Sequence, residues 1–107
     1  MAHIYRVIVR GFFGELDGPT RAGLLAEADE HEPLAAAFTT AGTLTYDRRL
    51  VAFSLRYEMR EADEVDDPAA AVSAAALTRA TDELRRAGIP HTGLRVQAID
   101  VADAWRR

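Results

Sequence analysis

Between Ile4 and Arg10 the side chains alternate with a period of two. Tyr5, Val7 and Val9 fall on one side, and Ile4, Arg6, Ile8 and Arg10 on the other. That is the signature of a strand with one buried face. Gly11 predicts its end, and Phe12 to Gly18 reads as a glycine-punctuated loop. Pro19 suits the first turn of a helix, where its missing N–H costs nothing. From Thr20 the period lengthens: Leu24, Leu25 and Ala28 share a core-facing stripe, with Glu27, Asp29 and Glu30 on the wet side. Pro33 interrupts this helix and predicts a short second piece through Leu34, Ala37 and Phe38, closed by Gly42.

Thr43 to Arg60 reads as a hairpin turning at Asp47-Arg48-Arg49. In its second arm Val51, Phe53, Leu55, Tyr57 and Met59 alternate strictly with Ala52, Ser54, Arg56, Glu58 and Arg60. After the acidic connection Glu61 to Asp67, Asp67-Pro68 forms a cap and first-turn proline. The helix that follows repeats Val72, Ala76, Ala80, Leu84 and Ala87, and Gly88 with Pro90 stops it. A last strand from about Thr92 sets Leu94, Val96 and Ala98 against Arg95, Gln97 and Ile99. The order β-α-β-β-α-β predicts an α+β fold, a ferredoxin-like plait: a four-stranded antiparallel sheet with two helices on one face. A chain of 107 residues has room for one such domain, residues 1–107.

Composition narrows the chemistry. Hydrophobic residues make up 49% and charged residues 28%, the balance of an ordinary globular protein. Neither cysteine nor lysine occurs, so the chain offers no thiolate, no Cys-ligated metal and no Schiff base, and every one of its thirteen basic residues is arginine. A net charge of −4 disfavours nonspecific nucleic-acid binding. The amino-terminal residues carry no apolar export segment and no run is long enough to span a bilayer, which predicts a soluble, unexported, cytoplasmic protein with no membrane partner.

The second face of the sheet is the candidate site. It carries Ile4, Arg6, Ile8 and Arg10; Ala52, Ser54, Arg56, Glu58 and Arg60; and Arg95, Gln97 and Ile99. With the first strand between the third and fourth, Arg6, Arg56 and Arg95 are expected to converge, with Ser54, Gln97 and Glu58 as neighbours. Read blandly, this is a hydrated face whose charges make weak cross-strand pairs. The apolar residues mixed among the charges point instead to two faces packing in a homodimer around a partly apolar cavity. Arg6, Arg56 and Arg95, with Ser54 and Gln97, would then hold a small carboxylate, phenolate or enolate ligand, and Glu58 would act as acid or base in cofactor-free chemistry such as cyclisation or isomerisation. A noncatalytic binding or assembly module is the alternative.

Other constellations are weaker. His3, His31 and His91 lack metal-ligand spacing, Ser54 and Ser73 lack nucleophile-elbow surroundings, and Tyr46 and Tyr57 share parity with core residues. Trp105 is expected to cover a sheet edge or a dimer partner. An RNA-binding face would need aromatics where this sheet carries Ile, Arg, Ser and Glu.

Residues 9 to 21, Val-Arg-Gly-Phe-Phe-Gly-Glu-Leu-Asp-Gly-Pro-Thr-Arg, loosely resemble the first loop of acylphosphatases, which hold phosphate on a loop and an arginine. The departures are the repelling Glu15 and Asp17, a missing Val-Gln-Gly-Val core, Arg21 at another offset, and no asparagine anywhere in the chain. Tyr5-Arg-Val-Ile-Val-Arg-Gly11, Leu24-Leu-Ala-Glu-Ala28, Gly42-Thr-Leu-Thr-Tyr-Asp-Arg48 and Leu94-Arg-Val96 together look like a family of small uncharacterised actinobacterial proteins, over nearly the whole chain. That resemblance implies no assigned activity. At fold level the plait is also similar to dimeric α+β barrel proteins, among them cofactor-free monooxygenases and polyketide cyclases.

Overall fold

The computed structural model describes residues 2–34, 36–62 and 66–102. Trp105 and the middle of the acidic connection, residues 63–65, lie outside them. Four strands, β1 (Ala2–Phe13), β2 (Thr43–Tyr46), β3 (Ala52–Ala62) and β4 (His91–Asp100), form one antiparallel sheet in the order β2-β3-β1-β4. Two α-helices, α1 (Gly18–Ala26) and α2 (Pro68–Arg86), complete the α+β architecture. A 3₁₀ turn over Ala28–His31 follows α1.

The strand parity sorts the sheet as the alternation predicts. Tyr5, Val7 and Val9 of β1 and Phe53, Leu55 and Tyr57 of β3 are buried in one core with Leu24 of α1 and the stripe Val72, Ala76, Ala80 and Leu84 of α2. Leu94, Val96 and Ala98 of β4 pack partly against it. The alanines of α2 let the helix approach the sheet closely, and α2 contacts β1, β3 and β4. Both helices begin as their sequences dictate: Asp17 accepts from the Thr20 N–H and Asp67 from the Ala70 N–H, each with proline in the first turn. The Thr20 N–H holds the Asp17 carboxyl below the usual carboxylate range.

Four expectations need correction. Gly11 does not end β1, which continues to Phe13 with Gly11 opposite Phe53. Its missing side chain is what the packing uses, because a Cβ there would lie 2.7 Å from Leu94 and 2.8 Å from Phe53. Val51 is 57% exposed rather than in the core, since it belongs to the turn and β3 begins at Ala52. Ala87 is the exposed cap of α2, one residue past the helix and three past Leu84, the last of the buried stripe.

The fourth correction matters most. Among the described residues between Pro33 and Gly42 no helix forms; Ala36 to Phe38 carry no regular structure, and Thr39 makes a parallel bridge to Tyr57. The cause is a length mismatch. β2 has four residues and β3 eleven, so β3 has backbone groups beyond Arg56 that β2 cannot reach. The Glu58 N–H finds the Thr39 carbonyl at 2.8 Å, satisfying a donor that would otherwise be left unpaired. Gly42, at φ +94°, then turns the chain into β2 directly against the Tyr57 ring.

Tyr57 is fully buried, donates to Glu83 at 3.2 Å and lies under the Arg79 guanidinium. Burial first, and then the Glu83 charge, raise its pKa well above the ordinary phenol value. Tyr46, donating to the Leu24 carbonyl at 2.8 Å, is raised by burial and by Glu27 and Glu30.

Two outcomes follow. In Gly42→Ala the added methyl meets the Tyr57 ring at a left-handed backbone position, so urea unfolding should give a loss of about 2–4 kcal/mol. Because the folded state favours the neutral phenols, their stabilisation is complete below the unfolded tyrosine value and is lost as pH rises past it. Tyrosinate absorbance and loss of near-ultraviolet dichroism should therefore rise together above about pH 10. Independent titration of Tyr46 and Tyr57 in a still-folded protein would contradict that.

Candidate functional site

The register places the outward side chains of the sheet in rows that run across the strands. One row reads Thr45, Ser54, Arg10, Arg95. The next reads Thr43, Arg56, Ile8, Gln97, then come Glu58, Arg6, Ile99, and then Arg60 with Ile4. All of the residues expected at the site lie on this one face. Five guanidiniums, from Arg6, Arg10, Arg56, Arg60 and Arg95, share it with a single carboxylate, Glu58. Among the described residues none of the five is in an ion pair, and neither is Glu58. The pairs that do form involve Arg48 with Asp29 and Arg49 with Asp47, on the turn side of the molecule.

The expected convergence of Arg6, Arg56 and Arg95 is replaced by two clusters. Arg6 and Arg56 meet through Phe38, whose ring centroid is 5.3 Å from the first guanidinium carbon and 5.8 Å from the second. Arg56 also donates to the Ala36 carbonyl at 2.8 Å. Ala36 and Phe38 are thus held on the arginine face by charge-assisted hydrogen bonding and cation–π contact. Arg95 lies one row from Arg56 and two from Arg6, directly opposite Arg10. Gln97 is within a long 3.5 Å contact of Arg10 through its side-chain oxygen.

Two adjoining cavities mark the face. The first, about 310 Å³, lies under Pro33 and is lined by Ile8, Arg10, Thr45, Ala52, Ser54 and Arg56, together with Asp47 from the turn, whose carboxylate is paired with Arg49. Its deep wall is the Thr45–Ser54 hydroxyl pair, 2.6 Å apart. The second, about 280 Å³, is lined by Arg10, Gly11, Phe12, Ala52, Gly93 and Arg95. Arg10, Ala52 and Phe53 belong to both. Glu58 lines neither; it sits half-buried in the Arg6 row.

Sequence reasoning left Arg10 out of the binding set, although its parity matched that of Arg6. It also missed Pro33, Ala36 and Phe38, because that segment read as a helix. The histidines hold structure: His31 stacks on Tyr46 and donates to the Leu44 carbonyl, His91 donates to the Ile89 carbonyl, and His3 lies 3.0 Å from Asp100. At the acylphosphatase-like loop the α1 N-terminus already carries an anion of its own, Asp17, and Glu15 lines the same hollow. Phosphate would meet two carboxylates there against the single arginine of the lining, Arg85.

Residues 1–106 match the model of a family of unknown function, DUF6204, and the chain belongs to that family. No curated protein and no solved structure matches it. No helix among the described residues is long and apolar enough to cross a membrane.

If Phe38 and Arg56 clamp the connection, Phe38→Ala should lower stability by about 1–2 kcal/mol and speed hydrogen exchange of the Glu58 amide ahead of the Val7 and Val9 amides. Unchanged exchange at Glu58 would mean that the Thr39 bridge stands without the clamp.

Proposed function

We propose that this DUF6204 protein binds a small anionic or phenolic metabolite on the arginine face of its sheet. The observation that carries the reading is electrostatic. In a chain of net charge −4, five guanidiniums and one carboxylate occupy one surface with no ion pair among the described residues. Acidic side chains are plentiful elsewhere, so their scarcity here leaves the arginines for a charge that comes from outside. Arg10 and Arg56, with Ser54 beside them, flank Ile8 in the cavity under Pro33, and the one carboxylate in its lining, Asp47, is already engaged by Arg49, which leaves a mixture of donors and apolar surface that suits a small organic anion. Arg6 acts through its stack on Phe38, and Arg95 and Gln97 extend the surface toward β4.

The element order and the strand order β2-β3-β1-β4 support the ferredoxin-like plait. Ile99, 39% exposed, and Phe12, 53% exposed, support a homodimer in which a second copy covers the face, as in dimeric α+β barrels. Two such faces repel each other unless anions lie between them, so ligand binding and dimerisation are coupled in this reading. The protein is taken as cytoplasmic and actinobacterial, and as acting without a cofactor.

A catalytic version rests on Glu58, the face's one carboxylate, opposite Arg6 and free of an ion pair among the described residues. It would serve as acid or base in a cofactor-free cyclase, isomerase or monooxygenase-like reaction on a ligand long enough to reach from Arg10 to the Arg6 row.

At constant ionic strength, small organic anions should raise the melting temperature and the dimer fraction in sedimentation equilibrium, and Arg10→Gln should reduce both effects about tenfold in concentration. A melting temperature indifferent to every anion tested, in a strictly monomeric protein, would overturn the binding reading. Given a turned-over ligand, Glu58→Gln should abolish turnover while leaving affinity within a factor of about two; full activity in that variant would leave a noncatalytic binding module.

A further inference from the structure

The arginines of the face are not equivalent. Arg56 is spoken for: it donates to the Ala36 carbonyl and stacks on Phe38, which Arg6 shares. Arg10 and Arg95 have no such occupation. They stand directly opposite each other across β1 and β4, both exposed, and among the described residues the side-chain hydrogen bond either makes is the long one from Arg10 to Gln97. Like charges directly opposite in a sheet are unfavourable. The nearest outward neighbours in their row are Ser54 and Thr45, which are neutral, and the lone carboxylate Glu58 is two rows away.

The backbone at this point is also irregular. The β1–β4 register shifts between Arg10 and Phe12, and the extra residue in β4 falls by Gly93, at φ +64°. A bulge of this kind re-aims the side chains around it. Phe12 is left 53% exposed on the outward face, lying over Gly93, where even a Cβ would touch its ring at 3.4 Å. Beside it Ala52, directly opposite in β3, leaves a gap instead of filling it. The resulting cavity of about 280 Å³ has the Arg10 and Arg95 guanidiniums at one end and an open phenyl surface at the other. Ligand cavities run from roughly 300 to 1,000 Å³, so this one takes a single ring rather than a fused system.

We infer that Arg10, Arg95 and Phe12 form the recognition subsite for a monocyclic aromatic carboxylate, its acid bridging the two guanidiniums and its ring on Phe12 above Gly93 and Ala52. This rests on the anion-binding reading above and names the substrate class. The carboxylate accepts from both forks at once and cancels the repulsion between them. Stacking on Phe12 separates an aromatic acid from an aliphatic one of equal charge. The site is therefore built at the expense of the unliganded protein, which carries an uncompensated pair until the anion arrives.

The test uses the full chain with sodium benzoate, sodium acetate and sodium phosphate at constant ionic strength, read by calorimetric titration and thermal unfolding. Benzoate should bind at least about tenfold tighter than acetate or phosphate. Arg95→Gln should weaken benzoate about tenfold or more, as expected for loss of a charge-assisted hydrogen bond. Phe12→Ala should weaken benzoate about fivefold and leave acetate unchanged. Arg60→Gln, which removes the same charge from the same face but lines neither cavity, should leave benzoate affinity within about twofold. Arg95→Glu provides a readout that needs no ligand: it places a carboxylate opposite Arg10, so the unliganded protein should melt about 2–5 °C higher while benzoate binding disappears.

Benzoate binding that survives Arg95→Gln, or equal affinities for benzoate and acetate, would overturn the subsite while the broader anion reading stands. A lower melting temperature in Arg95→Glu would overturn the claim of an uncompensated pair. If none of the three anions binds the wild type, both readings fail together.

Discussion

One constraint organises this molecule: a pleated strand cannot point neighbouring side chains the same way. Burying Tyr5, Val7 and Val9 with Phe53, Leu55 and Tyr57 against α2 leaves Arg6, Arg10, Arg56 and Arg95 no choice of side. A slip of one residue in either β1 or β3 would expose three core side chains and bury charged ones, so the hydrophobic core fixes the arginine face as firmly as it fixes itself. The strength of that coupling comes from apolar burial, roughly 1.5–3 kcal/mol for each large side chain removed from water. The weak electrostatic terms on the far side then act on positions already decided.

The short β2 sets the second feature. Because it covers only the near part of β3, the chain leading into it supplies the missing partner through Thr39. Having come to that edge, it carries Pro33 and Phe38 over the arginine face, where Arg6 and Arg56 hold the Phe38 ring. A need for backbone hydrogen bonds thus makes one wall of a cavity, and Gly42 permits the turn that follows. The face is divided in consequence into a part closed by the protein's own aromatic ring and a part, around Arg10 and Arg95, that is still open.

What could be read from the residues follows the same division. Strand parity, the caps Asp17 and Asp67, the hairpin turn after Tyr46 and the α2 stripe are local signals, written within a few residues of where they act. They were legible, and with them the face that bears Arg6, Ser54, Arg56, Glu58, Arg95 and Gln97. The bulge at Gly93 was not legible, because it depends on how β4 registers against β1, and Gly11 looked like a terminator for the same reason. The segment after Pro33 carried a helical spacing in Leu34, Ala37 and Phe38, yet Leu34 is 94% exposed. Local propensity there yielded to the unpaired edge of β3, which only the assembled sheet presents.

The central claim is that the arginine face is a binding surface and not merely a hydrated one. It is tested most directly by proton–nitrogen correlation spectra of the arginine Nε–Hε groups during titration with sodium benzoate at constant ionic strength. The account predicts saturable shifts at Arg10 and Arg95, with Arg48 and Arg49, already paired with carboxylates, unmoved. Shifts that are absent, or that grow without saturation and equally at all of these arginines, would contradict it.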